Sequence, residues 1–456
     1  MVDLPLLLQR VAASLGGDSR SLAPHATPAR LRALLAPIDF SRPRGADEVV
    51  DALAALLHTH TLHASHPRHM GLFHPPVHPV AVAAESLAAG VDAQLAVWGA
   101  APGANEVERH TLAWVAARFG LPAAHHGSFT AGASMSHQVA TALALSRAVP
   151  GFLRDGLVGC ASRPMVYASR EGHASVEKAV RMCGLGGASL RRVRCDPSWR
   201  MDLRALRAAV AEDRAAGRAP MMVVATAGTT NTGAIDPLAA LGDLCAQEDL
   251  WLHVDAAWAG AAALSPRAAP SLDGIARADS IAWDAHKWLP LPIASGVFLT
   301  RHPARCAEVF SVDAGYVPRG GGDRAMPYRE TALWSRRFTG AGLFALLATL
   351  GAEGVGRWVD EGCARGDALR AAVSEAGWSV VAPVPLPLAC FTHERVRRGA
   401  LAPQGVAAAL RREGVAWLSE TWLDGRLPAL HASVMHPGLT GDDLAALTAS
   451  LRALAA

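Results

Sequence analysis

The spacing of apolar and polar positions divides this chain into three stretches. Over residues 1–62 apolar positions recur at helical spacing, with Gly and Pro breaks at Gly16-Gly17 and Arg42–Gly45, so a group of short helices is predicted there. From about Thr111 amphipathic helical runs alternate with short β-rich runs. The clearest repeat lies between Met201 and Ala257. It predicts a helix over Asp202–Ala216 that stops at Gly217, a buried strand over Met221–Ala225, a helix from Asp236-Pro237 through Gln247, and a second strand over Leu250–Val254. A strand, a helix and a strand with short connections imply a parallel pair joined by a right-handed crossover. Repetition of that unit gives an α/β fold with a mostly parallel central sheet covered on both faces. Ligands of such sheets sit beyond the carboxyl ends of the strands. Thr226–Thr230 and Asp255 both fall at such ends, on one edge of the sheet.

Beyond Phe338 the pattern predicts helices over Gly342–Glu353 and Asp360–Ala376, short strands, and helices over Pro403–Glu413 and Asp442–Leu454. This reads as a smaller C-terminal α+β domain. The expected division is therefore residues 1–62, 63–340 and 341–456. The segment Tyr316–Tyr328, with three glycines, two prolines and no periodicity, is expected to be a mobile loop.

Composition narrows the function classes. With 456 residues, 51% hydrophobic and 18% charged, the chain can bury a sizeable core, and much of the apolar share is helix-favouring alanine. No apolar run reaches membrane-spanning length, and Asp3 stands where a secretory leader carries positive charge. A net charge of +3 gives no reason to expect nucleic acid or an anionic membrane as partner. Seven scattered cysteines without a C-x-x-C pair read as reduced thiols in a cytoplasmic protein. The histidines from His58 to His78 (His58, His60, His63, His66, His69, His74, His78) do not form one tight ligand set, so no metal is expected.

Of the 43 basic residues only Lys178 and Lys287 are lysine. A guanidinium stays protonated and is a poor nucleophile, whereas an amine can form a Schiff base. Both lysines are therefore candidates for amine chemistry. Lys178 sits beside Glu177 in a helical pattern and reads as a surface residue. Lys287 follows an apolar strand and lies between His286 and Trp288, in surroundings that disfavour an ammonium ion. Asp255, in His253-Val254-Asp255-Ala256-Ala257, ends a buried strand and needs a cationic partner. A protonated pyridine nitrogen would serve and would keep the ring an electron sink. A helix cap or a structural ion pair are the other readings. The small residues Gly127–Ser134 lead into a helical run, and a helix N-terminus of that kind can receive a phosphate. His173 could stack on a ring or be structural.

Taken together, these residues resemble the group II pyridoxal-phosphate decarboxylases, the family of glutamate and aromatic L-amino acid decarboxylases. His286-Lys287-Trp288, His253–Ala257 and the spacing between them carry the likeness, with Thr130–Ser134 and His173 matching more loosely. The resemblance implies an aspartate-aminotransferase-like fold (fold type I), a homodimer with active sites at the interface, and pyridoxal 5′-phosphate held as a Schiff base on Lys287. It implies that Asp255 pairs with the pyridine nitrogen, and that His173 and Ala257 lie on opposite ring faces. Ala133, Ser134 and His286 would contact the phosphate, and Thr230 the ring substituents. His66 and Pro67 would stand at the mouth of the substrate pocket. Tyr328, or failing it Tyr316, would protonate the substrate carbon after carbon dioxide leaves. The reaction implied is α-decarboxylation of an L-amino acid. Oxidative deamination to an aldehyde and a catalytically silent cofactor-binding regulator are the alternatives. Four departures leave the substrate open: Trp258 replaces the family tyrosine, His431 stands where relatives carry arginine, and Gln94 and Ala96 replace bulky apolar residues.

Overall fold

A computed structural model describes residues 3–15, 22, 26–63, 66–312 and 326–456. Gly16-Gly17, Tyr316 and most of the expected loop lie outside the described residues. The central sheet has seven strands: β1 (His126–Thr130), β2 (Pro164–Ser169), β3 (Leu190–Val193), β4 (Ala219–Thr226), β5 (Trp251–Asp255), β6 (Ser280–Asp284) and β7 (Gly296–Thr300). Their spatial order is β1-β7-β6-β5-β4-β2-β3. Only β7 runs against its neighbours, pairing antiparallel with both β1 and β6, while β6-β5-β4-β2-β3 are parallel throughout. The carboxyl ends of β1, β4, β5 and β6 consequently share one edge, and they deliver Thr130, Thr226, Asp255 and Asp284 to it.

Local chemistry explains the repeat that was legible in the sequence. The Asp202 carboxylate accepts from the N–H groups of Arg204 and Ala205, which caps the helix Leu203–Ala215. Strand β4 follows, then the helix Leu238–Glu248, which ends at Asp249 in the left-handed region (φ 54°). Strand β5 is buried from end to end, as a central parallel strand with both faces covered must be. The buried apolar side chains of the sheet and its covering helices form the main core, including Trp258, Trp283 and Trp288.

A second antiparallel sheet contains β8 (Ser379–Val380), β9 (Leu388–Thr392), β10 (Ser419–Leu423) and β11 (Leu427–Ser433), in the order β10-β11-β9-β8. The two sheets are joined by the segment Ala341–Glu375, two helices that meet at a kink where Gly351 takes non-helical angles (φ 65°), so the two helices predicted there are present with the break placed a few residues earlier. Leu343 and Leu346 at its start belong to the main core, whereas Leu369 and Val373 belong to the core of the smaller sheet. Met70, far upstream, joins that second core, and its carbonyl accepts the Ser433 N–H at 2.6 Å. Among the described residues no helix is long and apolar enough to cross a membrane.

Candidate active site

A cavity of about 410 Å³ opens at the shared strand edge. Its floor comes from strand ends: Thr226 and Gly228 after β4, Asp255 and Ala257 after β5, and Asp284, His286 and Lys287 after β6. The helix Ala133–Ala148 points its N-terminus into the same space, and His173 and Thr230 complete the wall. Ala133, Ser134, His173, Thr230, Asp255, Ala257, His286 and Lys287, all singled out from the sequence, are thus brought together.

Lys287 lies on the one-turn helix Ala285–Trp288 that follows β6 directly. That turn folds its Nζ back to 3.1 Å from Asp284 Oδ2, with the lysine side chain 28% exposed and the aspartate 5%. The amine therefore has a carboxylate partner, beyond the imidazole and indole that flank it in the sequence. The other oxygen, Asp284 Oδ1, is buried without a hydrogen bond, as is His286 Nδ1. Asp255 is buried. Its Oδ1 accepts the Ala257 N–H at 3.1 Å, and its Oδ2 lies 3.4 Å from His137 Nε2. Burial alone would raise this carboxyl, but His137, Lys287 and the Ala257 amide together hold it well below the ordinary carboxylate range.

The phosphate end is equally defined. Gly132 adopts φ 149°, a conformation that favours glycine, and turns β1 into the helix. The Met135 and Ser136 amides donate back to the Gly132 carbonyl at 2.9 and 3.3 Å. The Ala133 and Ser134 amides are left as the free first-turn donors of a sixteen-residue helix, and both residues line the cavity. His173 is exposed towards the cavity, its Nδ1 bonded to the Ser175 hydroxyl at 2.7 Å, and desolvation lowers its imidazole below 6.5. Ala257 clusters with two other small residues, Ala133 and Ala282, so a flat ring can approach it closely. An amine, a buried anion, two free amides and orphaned polar atoms around one cavity fit pyridoxal 5′-phosphate.

Other candidates lie elsewhere. His66 and Pro67 are not in the cavity wall. The His69–Trp417 bridge draws their segment alongside the small sheet, where Arg68 donates to the Gly414 carbonyl at 2.6 Å. Tyr328 is buried outside the wall, its hydroxyl accepting from Arg329 Nε at 2.9 Å and its ring 4.3 Å from that of Trp334. Tyr316 is outside the described residues. His431 donates from Nδ1 to the Asn231 carbonyl at 3.2 Å, and burial lowers it to about 4, so it stands as a neutral imidazole edge-on to Phe73. Phe73 in turn stacks on Trp258 at 4.5 Å. Gln94 Oε1 accepts the Ala96 N–H at 2.6 Å, and neither residue lines the cavity. Among the described residues no three His, Cys, Asp or Glu side chains are grouped to hold a metal ion.

Two cavity residues were missed by sequence reasoning. Asp284 precedes Lys287 by three positions at a strand end, the same signal that singled out Asp255. His137 belongs to Met135-Ser136-His137, a departure from the acidic-led triplet of the resembled family, yet nothing local in the sequence marks it as a neighbour of Asp255.

Residues 28–394 match the model of the pyridoxal-dependent decarboxylase conserved domain. An L-2,4-diaminobutyrate decarboxylase of Rhizobium meliloti (strain 1021) is 31% identical over 389 residues, 84% of this chain and 77% of that protein. An aromatic-L-amino-acid decarboxylase of Bacillus atrophaeus is 30% identical over 335 residues, 73% of this chain and 68% of its own. Among solved structures, mouse CSAD superimposes with a TM-score of 0.89 at 25% identity, covering 99% of this chain and 98% of that one. The Oryza sativa TDC with PLP and tryptamine gives 0.91 at 24% identity over 99% and 97%, a likeness of fold.

Proposed function

The chain belongs to the pyridoxal-dependent decarboxylases, and from that premise we propose that it removes the α-carboxylate of an L-amino acid at the Lys287 cavity, releasing the amine. The observation that carries this reading is the convergence of Lys287, Asp255 and the free Ala133 and Ser134 amides on one cavity. When bound, pyridoxal 5′-phosphate supplies a carbonyl that an amine can condense with and a ring that accepts the electron pair left by carbon dioxide.

The chain's own residues divide the remaining work. The amides of Ala133 and Ser134, the Ser134 hydroxyl and His286 bind the phosphate at the helix N-terminus. Asp255, held as an anion, keeps a proton on the ring nitrogen. His173 and Ala257 confine the ring from its two faces, and Thr230 borders its substituents. Asp284 holds the Lys287 amine over the site, and its unpartnered oxygen would be placed to take a proton from an amine there. The proton returned to carbon is assigned to Lys287 Nζ, because it faces the cavity. Tyr328 would first have to leave Arg329 and Trp334.

The three N-terminal helices Leu4–Leu15, Pro28–Leu35 and Ala46–His60 contain no buried residue and expose Leu4, Leu6, Leu8, Leu34, Leu53 and Leu57. This unpartnered apolar face supports a homodimer, which sedimentation would read as twice the chain mass. All seven cysteines are free thiols, which supports a cytoplasmic location.

The deciding experiment follows the purified protein with added cofactor by visible absorption, then screens all common amino acids for carbon dioxide. Absorbance that Lys287→Arg abolishes, with amine as product and Tyr328→Phe still turning over, supports the reading. A colourless protein sinks it, and aldehyde plus peroxide in place of amine overturns simple decarboxylation.

A further inference from the structure

Behind Asp255 runs a line of buried polar groups that the proposed reaction does not use. His137 Nδ1 lies 2.9 Å from His253 Nε2, with the two rings edge to face. His253 Nδ1 lies 2.8 Å from Ser280 Oγ, and that oxygen also accepts the Trp251 indole N–H at 2.9 Å. His253 and Ser280 have no exposed surface and Trp251 almost none. His137, from the cavity-facing helix, is 2% exposed in its side chain, and its Nε2 stands 3.4 Å from Asp255 Oδ2 with no hydrogen-bond partner. The line therefore begins in the core of the sheet and ends on the carboxylate at the cavity wall.

Proton bookkeeping gives the line a direction. The Trp251 indole can only donate, so Ser280 Oγ receives one hydrogen and can give its own to His253 Nδ1. Burial holds His253 neutral, with its imidazole lowered to about 3, so it gives one hydrogen bond and accepts one. Its Nε2–H then donates to His137 Nδ1, which puts the His137 proton on Nε2, facing Asp255. The reverse polarity would turn a nitrogen lone pair on a neutral His137 towards the carboxylate. The other groups bearing on Asp255 are Lys287, the Ala257 amide and the imidazole of His173. Lys287 is committed to Asp284 at 3.1 Å, so His137 is the donor placed to orient Asp255.

We propose that His137, aligned by His253 and Ser280, is a positioning residue that keeps Asp255 ionised and aimed at the ring nitrogen of the cofactor. This rests on the assignment of Asp255 to that nitrogen made above. His137 touches neither the ring nor the substrate carbon in this scheme. It acts through Asp255, and removing any link of the line loosens the same carboxylate.

The test titrates the apoprotein with pyridoxal 5′-phosphate, following protein fluorescence and visible absorbance, and records the pH midpoint of the visible band. His253→Phe keeps an aromatic ring and cannot donate. It is expected to weaken cofactor binding on the order of ten- to a hundredfold, the range for a hydrogen bond serving a charged group. It also moves the band's midpoint upward, because a ring nitrogen less firmly held as a cation draws less charge from the Lys287 linkage. His253→Gln, whose amide can donate to His137, should recover part of both changes. A His253→Phe protein with wild-type melting temperature, binding within twofold and an unmoved midpoint overturns the proposal. Should His253→Phe not fold, Ser280→Ala decides: weakening of about threefold or more supports the relay, and unchanged binding and midpoint overturn it. Wild-type protein without a visible band would instead overturn the proposed function, so the two failures are distinguishable.

Discussion

Gly296 opens β7 between Thr130 of β1 and Asp284 of β6, and so stands directly beneath the phosphate-binding turn. A methyl group at this position would fall 2.6 Å from Gly132 Cα, 2.7 Å from Gly132 N and 2.7 Å from Thr130 Oγ1. Carbon atoms in ordinary contact are about 3.5–4.0 Å apart, so Gly296→Ala forces the turn away by roughly 1 Å. Two of the three obstructing atoms are backbone and cannot rotate aside. Overpacking of this kind costs about 1–3 kcal/mol of stability. The turn carries the Ala133 and Ser134 amides, and moving them by that amount takes both out of hydrogen-bond range of a fixed phosphate. Two charge-assisted bonds weakened together, at about 1.5–3 kcal/mol each, predict at least a tenfold loss of cofactor affinity. The assay is a titration of the apoprotein with pyridoxal 5′-phosphate beside a melting curve of the apoprotein. Gly405→Ala is the control, since a methyl group there meets nothing within 4 Å and the residue lies in the remote helix Pro403–Arg412. Gly296→Ala with wild-type melting temperature and affinity within twofold would refute the placement of the phosphate on this turn.

Two further outcomes follow from buried charge. His69, His253 and His431 are buried, and burial lowers them to about 4, 3 and 4 from 6.5. The unfolded chain therefore binds more protons than the folded one below pH 6.5. Their contribution is fully present above that value and is lost as pH falls towards 4, by about 1.4 kcal/mol per proton per pH unit. Asp236 works against them. Burial raises it to about 6 from 3.8, so its contribution is present below 3.8 and lost as pH rises through 6. With three protons against one, urea midpoints should drop between pH 6.5 and 4.5; an unchanged midpoint would contradict the neutral-histidine assignment. Separately, the Arg336–Glu108 pair is almost wholly buried, with 8% and 4% of the side chains exposed, and Glu108 also accepts the Gly340 N–H at 3.2 Å. Arg336→Met should cost about 3–5 kcal/mol in urea unfolding, and adding Glu108→Gln should restore part of it.

The strand–helix–strand repeat was legible because its signals are local. A capping aspartate, an apolar run of the right length and a Pro-led helix start each act within a few residues, and β4, β5 and the helices around them fall within two or three residues of their predicted bounds. The two helices predicted after Phe338 are present within Ala341–Glu375, but the break falls at Gly351 rather than beyond Glu353, and packing keeps further glycines inside the second helix. A methyl group at Gly366 would lie 2.2 Å from the Leu386 carbonyl oxygen, and one at Gly362 would lie 2.8 Å from the Trp288 indole nitrogen. These glycines let the helix press against its neighbours, which is a reason no local pattern contains. The position of His66 and Pro67 is likewise set at long range. The contact that fixes that segment is with Trp417, nearly 350 positions away.

The same contrast separates the cavity residues found from those missed. Lys287 was conspicuous because the chain uses arginine wherever a plain positive charge suffices, and Asp255 because a carboxylate at a buried strand end needs a partner. Asp284 satisfies that second criterion equally, yet its meaning depends on a single helical turn returning Nζ to it, a geometry set by the Ala285 N–H bonding the Ser295 carbonyl at 3.0 Å. His137 is more instructive. Its partner His253 lies 116 positions later on a parallel strand, and only the crossing of that strand beneath the helix makes the two imidazoles a pair. Within the helix, His137 is a polar residue interrupting an apolar face; at the sheet edge it is the donor that a buried carboxylate requires. Residues that bind a cofactor directly can leave a motif in the sequence. Residues that orient them are selected by the tertiary crossing, and here the crossing is what turns a core histidine into a candidate determinant of the cofactor's charge.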